Sequence, residues 1–139
     1  MKDIEKAYIA GFIDGEGCIY ACKIKTRNSY TINGKIIIGC TNKEIINKLA
    51  QLIGDGTKNV TQHKQKPKWK PMFRLELAQR QGTKLLQKIL PYLILKKKQA
   101  KLFIELTELK KKSRKWKKYN EKRQEEIVFE LKEFNRRGV

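Results

Sequence analysis

Two carboxylates, Asp14 and Glu16, stand at the end of an apolar segment near the N-terminus, and a glycine follows each of them. Residues 3–13 carry apolar side chains at helical spacing, which predicts a short helix that ends at Gly15 and Gly17. Because the C-terminal end of a helix carries partial negative charge, acids placed there need a compensating cation. Carboxylate oxygens are hard ligands that suit Mg²⁺. The pattern favours a divalent-metal site, and the alternative is a glycine-rich helix end with two solvated acids.

The charge balance of the chain indicates a polyanionic partner. The 139 residues include 33 Lys and Arg against 14 Asp and Glu, a net charge of +19. Residues 58–74 contain cations but no acid, and residues 110–118 are nearly all cationic. Such segments neutralise phosphates and release counterions, which gives strong, salt-sensitive binding. A solvated charged surface is the alternative, but so large an excess favours nucleic-acid binding.

The composition disfavours several other classes of protein. No apolar run is long enough to span a membrane, and the N-terminus lacks a signal-peptide core, so we expect an intracellular protein. Three cysteines without a C-x-x-C pair argue against a disulfide framework and against a zinc site with His63. A single histidine excludes catalysis by a histidine pair within one chain. Hydrophobic residues make up 40% of the sequence, enough for one folded domain.

The elements that must position the two acids follow from the hydrophobic periodicity. Alternating side chains predict strands over residues 18–25, 31–40, 57–66 and 70–79. Helical spacing predicts helices over 3–13, from a capping box at Thr41–Glu44, from a cap at Thr83, over 97–112 and over 120–136. The order is α-β-β-α-β-β-α through residue 90. Residues 1–96 form the core of this single domain, and residues 97–139 add C-terminal helices.

Side-chain parity assigns two faces to the second strand. Ile36, Ile38 and Cys40 are expected to face the core, which leaves Asn33, Lys35 and Ile37 on the outer face. On the first strand the cations do not fall on the expected outer face of a continuous strand. We therefore expect a β-bulge near residue 22 or 23.

The string over residues 9–17, IAGFIDGEG, resembles the signature of the LAGLIDADG homing endonuclease family position by position. It occurs once, as in the single-motif, homodimeric branch. The element order through residue 90 and the segment 91–100 are also similar to that family. The resemblance implies an α+β fold of the LAGLIDADG type, αββαββα with a saddle-shaped antiparallel sheet that lies on double-stranded DNA. C-terminal helices follow this core.

The same resemblance implies a homodimeric endonuclease that depends on Mg²⁺ or Mn²⁺. Its product is a staggered double-strand break in a long pseudo-palindromic site. Another hypothesis within the fold is a non-cleaving intron maturase, which makes intron RNA an alternative partner. A structural protein of the ribosomal or chromatin type explains the charge but not the Gly-Glu-Gly helix end.

The resemblance also implies roles for single residues. Glu16 matches the metal ligand of each subunit, and the backbone carbonyl of Gly15 faces the same metal. Lys96 matches the active-site lysine that stabilises charge at the scissile phosphate, and a solvated cation in a basic run is its alternative. Asn42 stands where a polar residue orders water, although it also fits a capping box. Asp14 is expected to be structural at the helix end.

The remaining expectations concern the DNA contacts and the dimer. Phosphate contacts position a protein on DNA, and base-edge contacts specify the sequence. The expected DNA-binding residues are Lys23, Lys25, Arg27, Asn33, Lys35, Asn59, Thr61, His63, Lys66, Lys68, Lys70 and Arg74. Lys35 with guanine and Asn33 with adenine are chemically sensible pairs. Small side chains on the first helix let two helices approach closely, so the expected dimer interface contains Ala7, Ala10 and Gly11.

Overall fold

A computed structural model describes residues 1–54, 57–63, 68, 70–112 and 117–136, with the backbone alone for residues 58–63 and 117–119. The helices in this part of the chain are α1 (Asp3–Glu16), α2 (Lys43–Ile53), α3 (Gln79–Ile89), α4 (Lys97–Lys111) and α5 (Lys117–Arg136). The strands are β1 (Gly17–Lys25), β2 (Tyr30–Cys40), β3 (Thr57–His63) and β4 (Met72–Ala78). The predicted order αββαββα with further C-terminal helices is confirmed.

Among the residues described, no helix combines the length and the apolar character needed to cross a membrane.

The four strands form one antiparallel sheet in the order β1-β2-β4-β3. Alternation along each strand sends one set of side chains into the core, because successive Cβ atoms point to opposite faces. Ile19, Ile36, Ile38, Leu75 and Leu77 are all fully buried on this inner face. Helices α2 to α5 pack on it. The expected inward orientation of Ile36 and Ile38 is confirmed, and Cys40 packs at the edge of the same core.

The expected bulge in the first strand is wrong. β1 pairs with β2 in unbroken register from Gly17 opposite Ile38 to Lys25 opposite Tyr30. The register irregularity lies instead in β3, between residues 60 and 63. Because β1 is continuous, Lys23 shares the inner parity of Ile19.

Two helix starts also differ from the sequence prediction. The N-cap of α2 is Asn42 rather than Thr41, and its Oδ1 accepts a hydrogen bond from Ile45 N at 3.1 Å. α3 begins at Gln79, directly after β4, so Thr83 is an interior residue rather than a cap. The Thr83 hydroxyl donates to the Gln79 carbonyl at 2.8 Å, as hydroxyls inside helices commonly do. No loop separates β4 from α3, so no turn residue marks the boundary.

A partly buried polar cluster joins β2 to the helices behind it. Gln79 Oε1 accepts a hydrogen bond from Gly34 N, and Gln79 Nε2 donates to Thr107 Oγ1 at 2.5 Å. Thr107 Oγ1 also lies 2.5 Å from Thr83 Oγ1. These contacts satisfy the backbone of β2 where it runs beyond the end of β4, because Lys35 is the last β2 residue paired with β4 at that end.

Gly34→Ala is expected to lower the free energy of unfolding by about 1–3 kcal/mol through overpacking. A Cβ at Gly34 would lie 2.5 Å from both Gln79 Oε1 and the Phe103 ring, inside the polar cluster and the core. The control is Gly15→Ala, because a Cβ there would meet nothing within 4 Å. Urea denaturation of the two variants measures the difference. A Gly34→Ala protein as stable as the wild type would contradict this packing.

Candidate active site and nucleic-acid interface

Helix α1 runs into strand β1 without an intervening turn, and Glu16 is the last residue of the helix. The junction requires Gly17, because a Cβ there would lie 2.8 Å from the carbonyl oxygen of Ile13. Glu16 is exposed at this junction. Its carboxylate therefore stands where the helix meets the start of the sheet.

Lys96 holds the C-terminal end of α1. The side chain is buried at 8% exposure, and its Nζ donates hydrogen bonds to the carbonyls of Ile13, at 3.0 Å, and Gly17. These carbonyls lie where α1 ends, at the negative end of the helix dipole. The ammonium of Lys96 therefore supplies a cation that the acids at this end require.

Asp14 completes the attachment from the helix side. Its Oδ2 accepts a hydrogen bond from Ile94 N at 2.8 Å, and its Oδ1 accepts one from Lys96 N at 2.9 Å. The expected structural function of Asp14 agrees with these contacts. We call the contacts of Asp14 and Lys96 between α1 and residues 94–96 the α1 clasp.

The donor atoms beside the α1 clasp suit a hard divalent cation but do not complete a site. Gly15 and Glu16 are exposed, and the space beside Gly15 is open. Carboxylate and backbone carbonyl oxygens are the ligands that Mg²⁺ accepts. Within the described part of the chain, no group of three or more His, Cys, Asp or Glu side chains could hold a metal ion. In the described part of the chain, Glu16 is the exposed carboxylate beside the α1 clasp.

The other candidate residues, Asn42 and the two lysines after Lys96, differ in their contacts and exposure. Asn42 caps α2, so the capping function that the sequence left open is the one that the structure shows. Lys97 is half-buried and Lys98 is exposed. In the described residues, only Lys96 among these three neighbouring lysines donates to α1.

The outer face of the sheet, opposite the helices, carries the side chains that alternate with the buried ones. Tyr20 lies opposite Lys35 on β2, and Ile37 lies opposite Glu76 on β4. Arg74 follows the same parity one step along β4. The predicted outer position of Lys35 is confirmed, and Arg74, expected to contact DNA, has the same parity. We refer to this surface as the outer sheet face.

Sequence reasoning missed two residues of the outer sheet face, Tyr20 and Glu76. Glu76 Oε2 accepts a hydrogen bond from Lys35 Nζ at 3.3 Å, and the two side chains form an ion pair. Burial raises the pKa of the Tyr20 hydroxyl, and the nearby Lys35 ammonium opposes that shift. The alternation of Leu75 and Leu77 with polar residues indicates that Glu76 shares a face with Arg74. The end of β4 was not recognised in the sequence, because α3 follows it directly.

Lys23 does not lie on the outer sheet face. Its Nζ donates to Glu125 Oε1 of α5 at 2.8 Å and lies 4.7 Å from the centre of the Tyr30 ring. The hydrogen bond to Glu125 is the main reason that the pKa of Lys23 is raised. Lys23, which was expected to bind DNA, is therefore paired with Glu125 in the helical layer.

Asn33 is held by the helices although its parity is that of the outer sheet face. Lys110 Nζ of α4 donates to Asn33 Oδ1 at 2.6 Å. Partial burial lowers the pKa of Lys110. Its amine reaches β2 beyond the last pair with β4, where the strand edge is open. The side-chain oxygen of Asn33, which was expected to contact adenine, is thus already hydrogen-bonded within the chain.

The other expected DNA contacts lie at the ends of strands or outside the described residues. Lys25, Arg27, Lys68 and Lys70 are exposed. Asn59 and His63 have backbone positions opposite Leu75 and Met72. The side chains of Asn59, Thr61 and His63 are outside the described part of the structure, and Lys66 is outside it altogether.

The outward side of α1 is apolar and has no partner within the described chain. We define the outer α1 face as the exposed residues Ile4, Ala7, Tyr8, Gly11 and Gly15, which follow helical spacing. Ile4 and Tyr8 are 77% and 50% exposed. Ala10, expected in the dimer interface, is instead fully buried in the core of its own chain. α1 is therefore apolar on two sides, and the fold of one chain covers only one of them.

Asp14→Ala is expected to lower the free energy of unfolding by about 2 kcal/mol, because two backbone N–H groups lose a charged acceptor. The control is Glu44→Ala, which removes an exposed acid from the first turn of α2. Its expected loss is below about 1 kcal/mol. Chemical denaturation compares the two variants. Equal stability of Asp14→Ala and the wild type would show that the α1 clasp contributes nothing.

Comparison with protein families matches residues 9–103 to the LAGLIDADG endonuclease family. The matched segment begins within α1 and ends within α4, so it includes the whole sheet and both residues of the α1 clasp. Comparison with curated proteins found no significant match.

Solved structures with the same fold include several homing endonucleases. The archaeal intron-encoded I-Vdi141I, complexed with DNA, has a TM-score of 0.79 at 19% identity over 96% of this chain and 86% of that one. I-CvuI, complexed with its target in the presence of Ca, has a TM-score of 0.77 at 19% identity over 94% and 82%. I-SmaMI, bound to uncleaved DNA with calcium, has a TM-score of 0.68 at 14% identity over 88% and 43%.

Proposed function

This chain belongs to the LAGLIDADG endonuclease family, and we propose on that premise that it is a site-specific, homodimeric homing endonuclease. Its substrate is a long pseudo-palindromic site in double-stranded DNA, and its product is a staggered double-strand break. The observation that carries the proposal is the exposed carboxylate of Glu16 at the junction of α1 and the sheet.

The assignment of DNA to the outer sheet face is supported by charge and by the solved relatives. The net charge of +19 favours a polyanionic partner. Lys35 and Arg74 lie on this face, and the exposed cations Lys25, Arg27, Lys68 and Lys70 lie at or near the connections from β1 to β2 and from β3 to β4. The solved structures of I-Vdi141I and I-CvuI both contain DNA. Cations at the rim would position the duplex, and side chains at the centre would contact base edges.

The homodimer follows from what one chain lacks. Each chain offers one carboxylate at the α1 end, whereas cutting two strands requires two sites. The outer α1 face is apolar, and its small residues Ala7 and Gly11 permit close packing of two helices. A two-fold axis beside α1 would place the same patch on both partners. The match to I-SmaMI covers only 43% of that chain, which leaves room there for a second unit of this size.

Two copies of Glu16, together with the carbonyl oxygens of Gly15, would hold a divalent cation, Mg²⁺ or Mn²⁺, at the paired helix ends. A bound divalent cation supplies Lewis-acid stabilisation of phosphate charge and a more acidic water. Structures of I-CvuI were solved with Ca and with Mg, and I-SmaMI was solved with calcium, which supports a divalent cation here.

The residues of the chain itself position the scissile phosphates. The α1 clasp fixes the helix end against residues 94–96, so Glu16 keeps a set distance from the outer sheet face on which the duplex lies. Lys96, held against the carbonyls of Ile13 and Gly17, is proposed to stabilise negative charge developing on the phosphate. Asn42 is proposed to order water, in addition to capping α2.

Glu16→Gln is expected to lower the cleavage rate by about 100-fold or more, because the neutral amide is a poor ligand for a divalent cation. DNA binding should be retained, since the outer sheet face is unchanged. Single-turnover cleavage of a plasmid carrying a selected target, with and without Mg²⁺, measures the first effect. A gel-shift titration in Ca²⁺ measures the second.

The matched control is Glu108→Gln, which removes an exposed acid near the end of α4 that is farther from Lys96, and it should cleave at the wild-type rate. Cleavage by Glu16→Gln at the wild-type rate would refute the metal-ligand assignment. A wild-type protein that binds RNA but leaves every DNA library uncut would favour the maturase alternative instead.

Gly11→Leu is expected to abolish dimerisation and cleavage together. A Cβ at Gly11 meets nothing within 4 Å inside its own chain, so the variant should fold normally. The leucine would instead obstruct the partner helix at the outer α1 face. Sedimentation at matched concentration and the cleavage assay measure the two effects, with Lys84→Leu on α3 as the control. A Gly11→Leu protein that remains dimeric and active would exclude this face as the interface.

A further inference from the structure

The ion pair of Lys35 and Glu76 occupies the middle of the outer sheet face. Lys35 lies opposite Tyr20 on one side and Ala78 on the other, and Glu76 lies opposite Ile37. The Lys35 and Glu76 side chains are 42% and 20% exposed, so both are partly enclosed by their neighbours. A carboxylate on a surface that meets phosphates is repelled by them. Its presence there needs a reason other than affinity for a polyanion.

We propose that Lys35 and Glu76 read one G·C base pair as a unit, with guanine under Lys35 and cytosine under Glu76. The inference rests on the proposed binding of DNA to the outer sheet face and adds the base pair that this part of the face selects.

The chemistry of the two side chains matches the major-groove edge of that base pair. Guanine presents N7 and O6 as acceptors, and cytosine presents the N4 amino group as a donor. O6 and N4 are hydrogen-bonded to each other in the base pair, so they lie about 2.9 Å apart. Lys35 Nζ and Glu76 Oε2 are separated by a similar 3.3 Å. The ammonium can therefore donate to O6 and N7 while the carboxylate accepts from N4.

The same pair rejects other base pairs in a definite order. A C·G pair places a donor under Lys35 and an acceptor under Glu76, so both contacts become repulsive. An A·T pair likewise places the N6 donor under Lys35 and the O4 acceptor under Glu76, and leaves adenine N7 as the one acceptor on the Lys35 side. A T·A pair keeps the order, with O4 and N6, but replaces the N7 acceptor with a methyl group. The expected ranking is G·C first, T·A second, and the two reversed pairs last.

The positions of both side chains are set by regular, buried backbone. Glu76 stands between the fully buried Leu75 and Leu77, and Lys35 stands next to the fully buried Ile36. The Gln79 contact to Gly34 N fixes β2 on the other side of Lys35. Side chains on such a rigid sheet can discriminate bases without an ordering step on binding.

The experiment selects bound sequences from a random double-stranded DNA library at fixed salt in Ca²⁺. The proteins are wild type, Lys35→Met, Glu76→Met and the double variant. Glu125→Gln is the matched control, because it breaks a lysine–glutamate pair of 2.8 Å on the helical side of the sheet. Circular dichroism establishes that each protein is folded.

In the wild type, one position in each half-site should prefer G·C over C·G by about tenfold or more. Lys35→Met and Glu76→Met should each lose that preference at the same position, and the double variant should lose no more. Glu125→Gln should keep the wild-type profile.

Three outcomes would overturn the inference alone. The first is loss of preference at different positions in the two single variants, the second is an equal loss of affinity at every position, and the third is a wild-type site in which no position prefers G·C. A wild-type protein that selects no sequence at all would overturn the proposed function as well.

Discussion

The α1 clasp, in which Asp14 of α1 and Lys96 join the end of the helix to residues 94–96, is the set of contacts on which the candidate site depends. The next residues of α1 are Gly15 and Glu16, and β1 begins at Gly17 without a turn. Fixing this helix end therefore fixes the Glu16 carboxylate relative to both the sheet and the outer α1 face. The buried ammonium also offsets the negative end of the helix, so the acids remain there at lower electrostatic cost.

The acids of this basic chain are concentrated on the helical side of the sheet. Arg123 of α5 forms ion pairs with Glu105, Glu126 and Glu130, and Glu125 pairs with Lys23 of β1. These contacts attach the C-terminal helices to each other and to β1. Lys35 and Arg74 instead have the parity of the outer sheet face. Glu76 is an acid on the outer sheet face, and its position there is explained by the proposed contact with cytosine.

The sequence predicted what local periodicity determines, and the errors arose where distant contacts decide. The alternation of β2 identified its buried face correctly, because each strand residue has one of two orientations. Lys23 was assigned wrongly because its partner, Glu125, is 102 residues away. Ala10 was misplaced because α1 is apolar on two sides, and periodicity does not show which side the chain itself covers. The Lys96 contacts to α1, 79 and 83 residues apart, left no local signal.

The most direct test of the account is the position of Mn²⁺ in a crystal of the protein with DNA selected from a random library. Anomalous scattering locates the ion independently of any variant. We expect the Mn²⁺ peaks between two paired α1 ends, at bonding distance from the Glu16 carboxylates of both copies and beside the DNA phosphates. Peaks remote from Glu16, or α1 helices that do not face each other across a two-fold axis, would contradict it.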